Sequence, residues 1–201
     1  MTLTRDASAL LVIDMQNGFL DPKGSMAAIG MPTDQLQPSI EGTQRLIEAA
    51  RAAGVPVIFT RYQYMAGYAD GGILPNELVP AMRDADALLA GSWDADVADA
   101  VAPLDGEVII DKARPSSFYG TQLEPVLTGL GVRNLVLCGV TTNICVETTA
   151  RDAGQRDYRV HVVADACAEF EQARHDHALN TIGFTFGWVN TVDEVVQAWR
   201  P

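Results

Sequence analysis

Short apolar runs alternate with amphipathic segments along most of the 201-residue chain. An apolar run bounded by polar or turn-forming residues predicts a buried strand, and we place strands at Ala9–Ile13, Val55–Thr60, Val108–Ile110, Asn134–Cys138, Arg159–Ala164 and Phe186–Val189. Apolar residues that recur with helical spacing predict helices at about Ile40–Ala53, Gln122–Leu130, Ile144–Arg156, Gln172–Ile182 and Val192–Trp199. Gly54 and Gly131 stand between a predicted helix and the next strand, as expected for glycines that end helices.

Strands that alternate with helices predict an α/β fold in which a parallel sheet is covered by helices on both faces. The length suits a single domain, so we expect residues 1–201 to form one doubly wound sheet of about six mainly parallel strands. In such sheets ligands bind at the carboxyl ends of the strands. The polar residues that follow each predicted strand are therefore the candidates for a functional site.

Composition and charge exclude several classes of function. A composition of 48% hydrophobic and 20% charged residues is typical of a soluble globular protein, and no apolar run approaches the ~20 residues of a membrane span. The net charge of −12 argues against nucleic-acid binding, which needs a basic surface. Three cysteines without a CxxC pair give neither a disulfide framework nor zinc spacing. We therefore expect a reduced, cytoplasmic protein that contacts neither nucleic acid nor membrane.

The stretch from Met65 to Asp105 is less regular and contains several glycines and prolines. Long loops in compact domains are usually functional, often as lids or substrate walls. Disorder is the competing interpretation, but Tyr68, Trp93 and several leucines argue against it.

Charged residues follow two of the predicted strands. Asp14 comes directly after Leu11-Val12-Ile13, and a carboxylate beside a buried strand is costly unless it is paired. Lys112 follows the strand at Val108–Ile110, and an amine there could hold a carboxylate charged and stabilise a thiolate. Taken singly, Asp14 could equally cap a helix or anchor a loop, and Lys112 could be a surface lysine.

Cys145 lies just beyond the fourth strand, in the first turn of a predicted helix. Unpaired backbone N–H groups and the helix dipole favour a thiolate at such a position. The same N–H groups could bind the oxyanion of a tetrahedral intermediate. Cys138, within the strand, is expected to be an inert core residue, since cysteine is often buried for structural reasons alone.

Four blocks of the sequence together resemble the cysteine hydrolases of the isochorismatase-like superfamily. They are Leu11–Asn17 (LVIDMQN), Gly91–Asp94 (GSWD), Lys112–Phe118 (KARPSSF) and Gly139–Ala153 (GVTTNICVETTARDA). The resemblance implies a Rossmann-like sheet, a catalytic triad of Asp14, Lys112 and Cys145, and no cofactor. It also implies a cis peptide at Val140-Thr141, with the N–H groups of Thr141 and Cys145 forming an oxyanion hole.

The mechanism implied by this resemblance is covalent. The Cys145 thiolate attacks an amide-type carbonyl, Asp14 relays the proton to the leaving nitrogen, and water then hydrolyses the thioester. Departures from other branches narrow the reaction. Isochorismatases proper lack the nucleophilic cysteine, and nicotinamidases carry an Asp-x-His metal site where this chain has Thr60–Tyr64 (TRYQY). We therefore predict no metal and disfavour both activities.

Within the cysteine branch, the chain is most similar in appearance to ureidoacrylate, biuret and N-carbamoylsarcosine amidohydrolases. The expected partner is a small molecule with a ureido or carbamoyl group. Hydrolysis of a lactam or another cyclic amide by the same triad, and a binding protein that has lost catalysis, are the alternatives. The resemblance also implies a homodimer or homotetramer.

Several further residues are candidates for binding substrate. Three of them lie on the loop after the first predicted strand, and four lie on other segments. They are Gln16, Asn17, Phe19, Arg61, Trp93, Ser117 and Tyr119. Gln16 could equally brace the loop, Trp93 could be a core contact, and Arg61 could form a salt bridge at the rim. We expect His175 and His177 on the surface, His161 in a packed or edge position, Glu169 and Glu171 in a solvated lead into a helix, and Arg151 and Asp152 paired structurally.

Overall fold

The computed structural model describes residues 3–200 and contains a six-stranded sheet in which neighbouring strands are parallel. The strands are β1 (Ser8–Ile13), β2 (Val57–Tyr62), β3 (Val108–Lys112), β4 (Asn134–Val140), β5 (Arg159–Ala168) and β6 (Trp188–Asn190). Their order is β3-β2-β1-β4-β5-β6. The predicted Rossmann-like α/β domain is confirmed, and Met1, Thr2 and Pro201 of the predicted range lie outside the described residues.

Helices flank this sheet in two groups. They are α1 (Asn17–Leu20), α2 (Ser25–Ala28), α3 (Ser39–Ala53), α4 (Ala81–Asp84), α5 (Leu123–Gly129), α6 (Glu147–Gly154), α7 (Gln172–Thr185) and α8 (Val192–Ala198). Helix α3 packs with α8 and against β1, β4 and β5, whereas α6 and α7 pack together against β5. Within residues 3–200, no helix combines the length and apolar character that crossing a bilayer requires.

The strands β2 and β3 extend further than their apolar runs suggest. The sequence places β2 at Val55–Thr60, but its pairing with β3 continues through Arg61 opposite Asp111 and Tyr62 opposite Lys112. These positions alternate between the two faces of the sheet, so charged residues can occupy one face while the ladder continues. Lys112 is consequently the last residue of β3 rather than a loop residue.

The central strands β1 and β4 are buried along their whole lengths and are paired from Ser8 opposite Asn134 to Ile13 opposite Gly139. The strand order reverses between β1 and β4, because β2 follows on one side of β1 while β5 follows on the far side of β4. A crevice at the carboxyl ends of the strands is expected at such a reversal. Asp14 and the Cys145 turn leave the sheet there.

The close approach of β4 to β1 requires a glycine. Gly139 has φ of +112°, and a Cβ there would lie 2.1 Å from the Ile13 carbonyl oxygen. We expect Gly139→Ala to lower the free energy of unfolding by about 3 kcal/mol, through strained backbone and overpacking. Gly129→Ala is the control: no atom lies within 4 Å, and a gain of about 0.5 kcal/mol is expected. Urea unfolding of both variants checks this, and equal stabilities would contradict the tight approach.

The irregular stretch between β2 and β3 is ordered into short helical turns. An isolated bridge from Tyr64 to Leu89 joins two parts of this stretch, and a second bridge from Gln16 to Val97 ties its later part to the loop after β1. Tyr68 is buried and donates to the carbonyl oxygens of Met82 and Ala87. The stretch is therefore ordered, and the competing interpretation of disorder is wrong.

Candidate active site

Asp14 directly follows β1 and is completely buried. Thr60 Oγ1, on β2, donates to Asp14 Oδ1 at 2.6 Å and accepts from the Asp14 backbone N–H at 3.1 Å. Lys112 Nζ donates to the other carboxylate oxygen, Oδ2, at 2.7 Å. Both oxygens of the carboxylate are thus partnered, which buried charges require.

The Lys112 side chain is also fully buried, and three acceptors take its three hydrogens. Besides Asp14, these are the carbonyl oxygens of Arg114 and Pro115, each at 3.1 Å from Nζ. The ammonium lies 4.3 Å from the centroid of the Tyr62 ring, a cation–π contact. The amine is therefore fixed beside Asp14 and is not a surface lysine.

Cys145 lies in a π-helical turn, Thr142–Val146, that leads from β4 into α6. Its thiol is buried next to the Asp14–Lys112 pair. Burial raises the pKa of the Cys145 thiol, the Lys112 charge lowers it, and the Asp14 charge raises it further. This direction of the pKa opposes the thiolate that the helix start alone favours, because desolvation outweighs the positive charge nearby.

This shift predicts how Cys145 reacts with iodoacetamide. A thiol with a raised pKa stays protonated at neutral pH, and only the thiolate reacts. We expect slow alkylation of Cys145 near pH 7 and a rate that is still rising at pH 9, the ordinary thiol pKa being 9.0. Peptide mass spectrometry at several pH values measures this rate. A rate that stays constant between about pH 6 and pH 9 would show a thiolate already formed.

The turn that carries Cys145 is held by residues of the segment after β5. Glu169 is buried, and its two carboxylate oxygens accept the N–H groups of Asn143 at 3.0 Å and Phe170 at 2.9 Å. His175 Nδ1 lies 2.8 Å from Thr142 Oγ1. The prediction of a solvated Glu169 is therefore wrong, and His175 is half-buried rather than on the surface. The Val140-Thr141 peptide is cis, as the resemblance implies.

A cavity of about 140 Å³ opens onto Cys145. Its walls come from the first loop, the stretch between β2 and β3, and the residues around the nucleophile turn. The lining residues are Phe19, Met26, Ile29, Met31, Tyr62, Leu74, Val79, Met82, Leu88, Pro115, Thr141, Ile144, Cys145 and Phe170. Of the predicted substrate residues, Phe19 lies in this cavity.

Two predicted first-loop residues hold the backbone instead. Gln16 is buried, donates from Nε2 to the carbonyl oxygens of Tyr62 at 2.9 Å and Ala95 at 2.8 Å, and accepts the Tyr62 N–H at 2.7 Å. Both of its amide hydrogens are used, so the bracing alternative is the correct one. Asn17 Nδ2 donates to the Trp93 carbonyl oxygen at 2.8 Å. The Trp93 side chain is exposed and does not line the cavity at Cys145.

Arg61, Ser117 and Tyr119 also lie away from the Cys145 cavity. Arg61 lies on the opposite face of the sheet from its neighbours Thr60 and Tyr62. It binds Asp111 through two hydrogen bonds of 2.8 and 3.0 Å, so it forms the salt bridge that was the alternative to substrate binding. Ser117 is completely buried and bonds to Thr149. Tyr119 lines a different cavity of about 510 Å³ at the end of β3.

The remaining predictions concern residues outside this site. Cys138 is buried in the core, and burial raises its pKa to about 12, as expected of an inert thiol. His161 is packed, with Nδ1 2.9 Å from Asn190 Oδ1. Arg151 bonds to Glu147 and Asp152 bonds to Ser116, so each pairs structurally but not with the other. Residues 3–200 contain no cluster of three or more histidine, cysteine or acidic side chains suited to a metal.

Comparison with known proteins agrees with this geometry. The isochorismatase domain model matches residues 8–194. Ureidoacrylate amidohydrolase RutB of Stutzerimonas stutzeri (strain A1501) is 36% identical, over 99% of this chain and 85% of its own length. The structure of a cysteine hydrolase from Pseudomonas syringae pv. phaseolicola 1448A superposes with a TM-score of 0.89, at 32% identity over 99% of this chain and 95% of that one.

A more distant structure belongs to an enzyme named as an amidase. N-carbamoylsarcosine amidase from Thermoplasma acidophilum is 28% identical, with a TM-score of 0.75 over 92% of this chain and 96% of that one. The family model spans nearly the whole chain, and the strand ends carry the residues that the resemblance assigns to the triad. The chain therefore belongs to the isochorismatase family.

Proposed function

We propose that the chain is a metal-independent cysteine amidohydrolase that cleaves a C–N bond in a small ureido, carbamoyl or amide compound. The hydrolysis of a non-peptide C–N bond follows from the family and from relatives named as amidohydrolases. The observation that carries the finer proposal is the buried Asp14–Lys112 pair beside Cys145. Among the described residues, Cys145 is the only cysteine in the wall of the cavity at this site.

The first half of the reaction forms a covalent intermediate. Asp14 accepts the Cys145 proton as the sulfur attacks the carbonyl carbon, and the carbonyl oxygen becomes an oxyanion that the N–H groups of Thr141 and Cys145 stabilise. The C–N bond then breaks, and Asp14 returns the proton to the leaving nitrogen. The raised pKa of Cys145 suits this order, since the proton leaves only when a nearby base takes it.

The second half regenerates the enzyme. Asp14 takes a proton from water as the water oxygen attacks the thioester or carbamoyl-thioester carbon, and the sulfur leaves and recovers that proton. Lys112 holds its position through three hydrogen bonds and balances the carboxylate throughout both halves. A ureido carbonyl is a poor electrophile because of its nitrogen lone pairs, so an activated thiolate and two oxyanion donors suit its hydrolysis.

A homodimer or homotetramer in the cytoplasm is part of the proposal. The edge strand β6 exposes Trp188 and Val189. Phe184, which is 88% exposed, lines the same groove as Trp188. Exposed apolar groups next to a sheet edge favour association with a second subunit. Sedimentation equilibrium of the purified chain measures the assembly state.

Ammonia release across a chemical panel tests the activity. The panel contains biuret, ureidoacrylate, N-carbamoyl amino acids, nicotinamide and simple lactams, with ring opening of the lactams followed by mass spectrometry. We expect turnover of at least one ureido, carbamoyl or amide compound, together with a mass adduct on the Cys145 peptide after rapid acid quench. Turnover of lactams alone would favour the cyclic-amide alternative. Absence of both turnover and adduct would overturn the proposal.

A further inference from the structure

We propose that the substrate is an uncharged amide, urea or carbamoyl compound with an apolar body about the size of one six-membered ring, and that carboxylated substrates are excluded. This inference rests on the proposed function and specifies its substrate class. It separates the chain from ureidoacrylate amidohydrolases, since ureidoacrylate carries a carboxylate.

The chemistry of the cavity wall is the first argument. Its side chains are aliphatic, aromatic or thioether groups apart from Cys145 and Thr141, and among the described residues no cation lines it. Burial raises the pKa of Tyr62, so its hydroxyl remains neutral near pH 7. A carboxylate that entered would lose its hydration without gaining a charged partner, which is strongly unfavourable.

The cations in neighbouring segments lie outside the cavity wall and contact other groups. Lys112 gives all three hydrogens to Asp14 and two carbonyl oxygens. Arg61 holds Asp111 bidentately, and Arg114 donates to the carbonyl oxygens of Asp70 and Ala113. Arg83 bonds to Asn76 and lies over the Tyr68 ring. Recruiting Lys112 or Arg61 for a substrate carboxylate would break a contact that the structure already makes.

The charges next to the reacting groups give no surplus of positive charge. Lys112 and Asp14 pair with each other beside Cys145, and Glu169 accepts the Asn143 N–H in the nucleophile turn, next to Phe170 of the cavity wall. Since the ion pair leaves little net charge, the Glu169 carboxylate opposes the entry of an anion through like-charge repulsion. An uncharged compound meets no such barrier.

Volume sets the size of the body. The cavity measures about 140 Å³. An apolar protein cavity of about 150 Å³ is known to bind benzene, so a single ring or a short branched alkyl group fills this one. Met26, Met31 and Met82 in the wall are flexible enough to adapt to related shapes.

Matched substrate pairs test the inference. Propylurea and N-carbamoyl-β-alanine differ in a terminal methyl or carboxylate, and benzylurea and N-carbamoylphenylglycine differ in a hydrogen or carboxylate. We expect kcat/KM for ammonia release to be at least about 100-fold higher for the neutral member of each pair. Equal or faster turnover of the carboxylated members would overturn the inference and leave the proposed function intact. Failure of all four compounds while a member of the chemical panel is turned over would overturn the inference alone, and failure of these compounds and of the whole panel, with no adduct on Cys145, would overturn both.

A variant with an added cation gives an independent readout. Met31 lines the cavity and is 37% exposed, so a longer polar side chain is tolerated there. Met31→Arg should raise the carboxylated-to-neutral ratio of kcat/KM by about tenfold or more, whereas Met31→Gln, of similar length and uncharged, should leave it within about twofold. An unchanged ratio in Met31→Arg would show that charge in this cavity does not select the substrate, against the inference.

Discussion

Cys145→Ala is expected to abolish amidohydrolase activity, with kcat/KM falling on the order of 10⁴-fold or more. The thiol forms the covalent bond in the proposed mechanism, and no other described cysteine lines the cavity beside Asp14 and Lys112. Ammonia release measured on a substrate identified from the panel gives the fall directly. Rapid quench of the variant should show no adduct on the peptide that contains residue 145.

Cys138→Ala is the matched control, because it removes a second buried thiol from the adjoining strand β4. Cys138 lies in the core, where its Sγ is 3.9 Å from the Leu11 carbonyl oxygen. We expect kcat/KM within about twofold of wild type and a loss of about 1 kcal/mol in unfolding free energy. If Cys145→Ala retained turnover while Cys138→Ala lost it, the nucleophile assignment would be wrong.

The sheet and the central pair of the site could be predicted because both depend on strong local patterns. Buried parallel strands appear as continuous apolar runs, and a polar residue at the end of such a run is conspicuous. Asp14 and Lys112 satisfy that description, Cys145 lies at a predicted helix start beyond β4, and the structure brings the three together. The strand ends themselves shifted, since β2 and β3 continue pairing through Arg61 and Asp111 after the apolar run stops.

Three features of the site were not predicted, each for a different physical reason. Thr60 and Tyr62 lie within or at the end of an apolar run. From the sequence, neither the hydroxyl that donates to Asp14 nor the ring that contacts Lys112 can be distinguished from a core residue. In the sequence, Glu169 resembles a solvated residue in the segment that precedes a helix. It is buried because β5 extends through Ala168, the residue before it. The Cys145 pKa depends on desolvation by segments distant in sequence, which the local helix-start argument omits.

The cavity wall was beyond sequence analysis for a related reason. Leu74, Val79, Met82 and Leu88 come from a stretch without helical or strand periodicity, so its path depends on tertiary contacts such as the Tyr64–Leu89 bridge. Most of the residues proposed from the sequence were polar, because polar groups stand out near strand ends. Of these, Gln16 and Asn17 fix the backbone and Arg61 and Ser117 bond other side chains, whereas the wall of the Cys145 cavity is mainly apolar.

Lys112→Met is expected to lower the free energy of unfolding by about 3–5 kcal/mol, the cost of leaving a buried charge without its partner. The Asp14 carboxylate would keep the Thr60 hydroxyl but lose the ammonium at 2.7 Å, and two carbonyl oxygens would lose a donor. Methionine has a similar length and fills the space, so the loss reports charge and hydrogen bonding more than packing. Urea unfolding followed by circular dichroism measures it, and activity should fall with it.

Two further variants decide whether the buried ion pair is the cause. Adding Asp14→Asn to Lys112→Met removes the unpaired charge while keeping an acceptor for Thr60, and should recover about 2 kcal/mol of stability without restoring activity. Arg45→Met breaks the exposed pair with Asp193 and should leave the urea midpoint nearly unchanged, since solvent screens that interaction. A Lys112→Met variant as stable as Arg45→Met would mean that the Asp14–Lys112 pair does not hold the site together. Recovery of stability in the double variant, with catalysis still absent, would instead separate the two roles of the pair: Lys112 offsets the burial of Asp14 in the folded chain, and Asp14 carries the proton during the reaction.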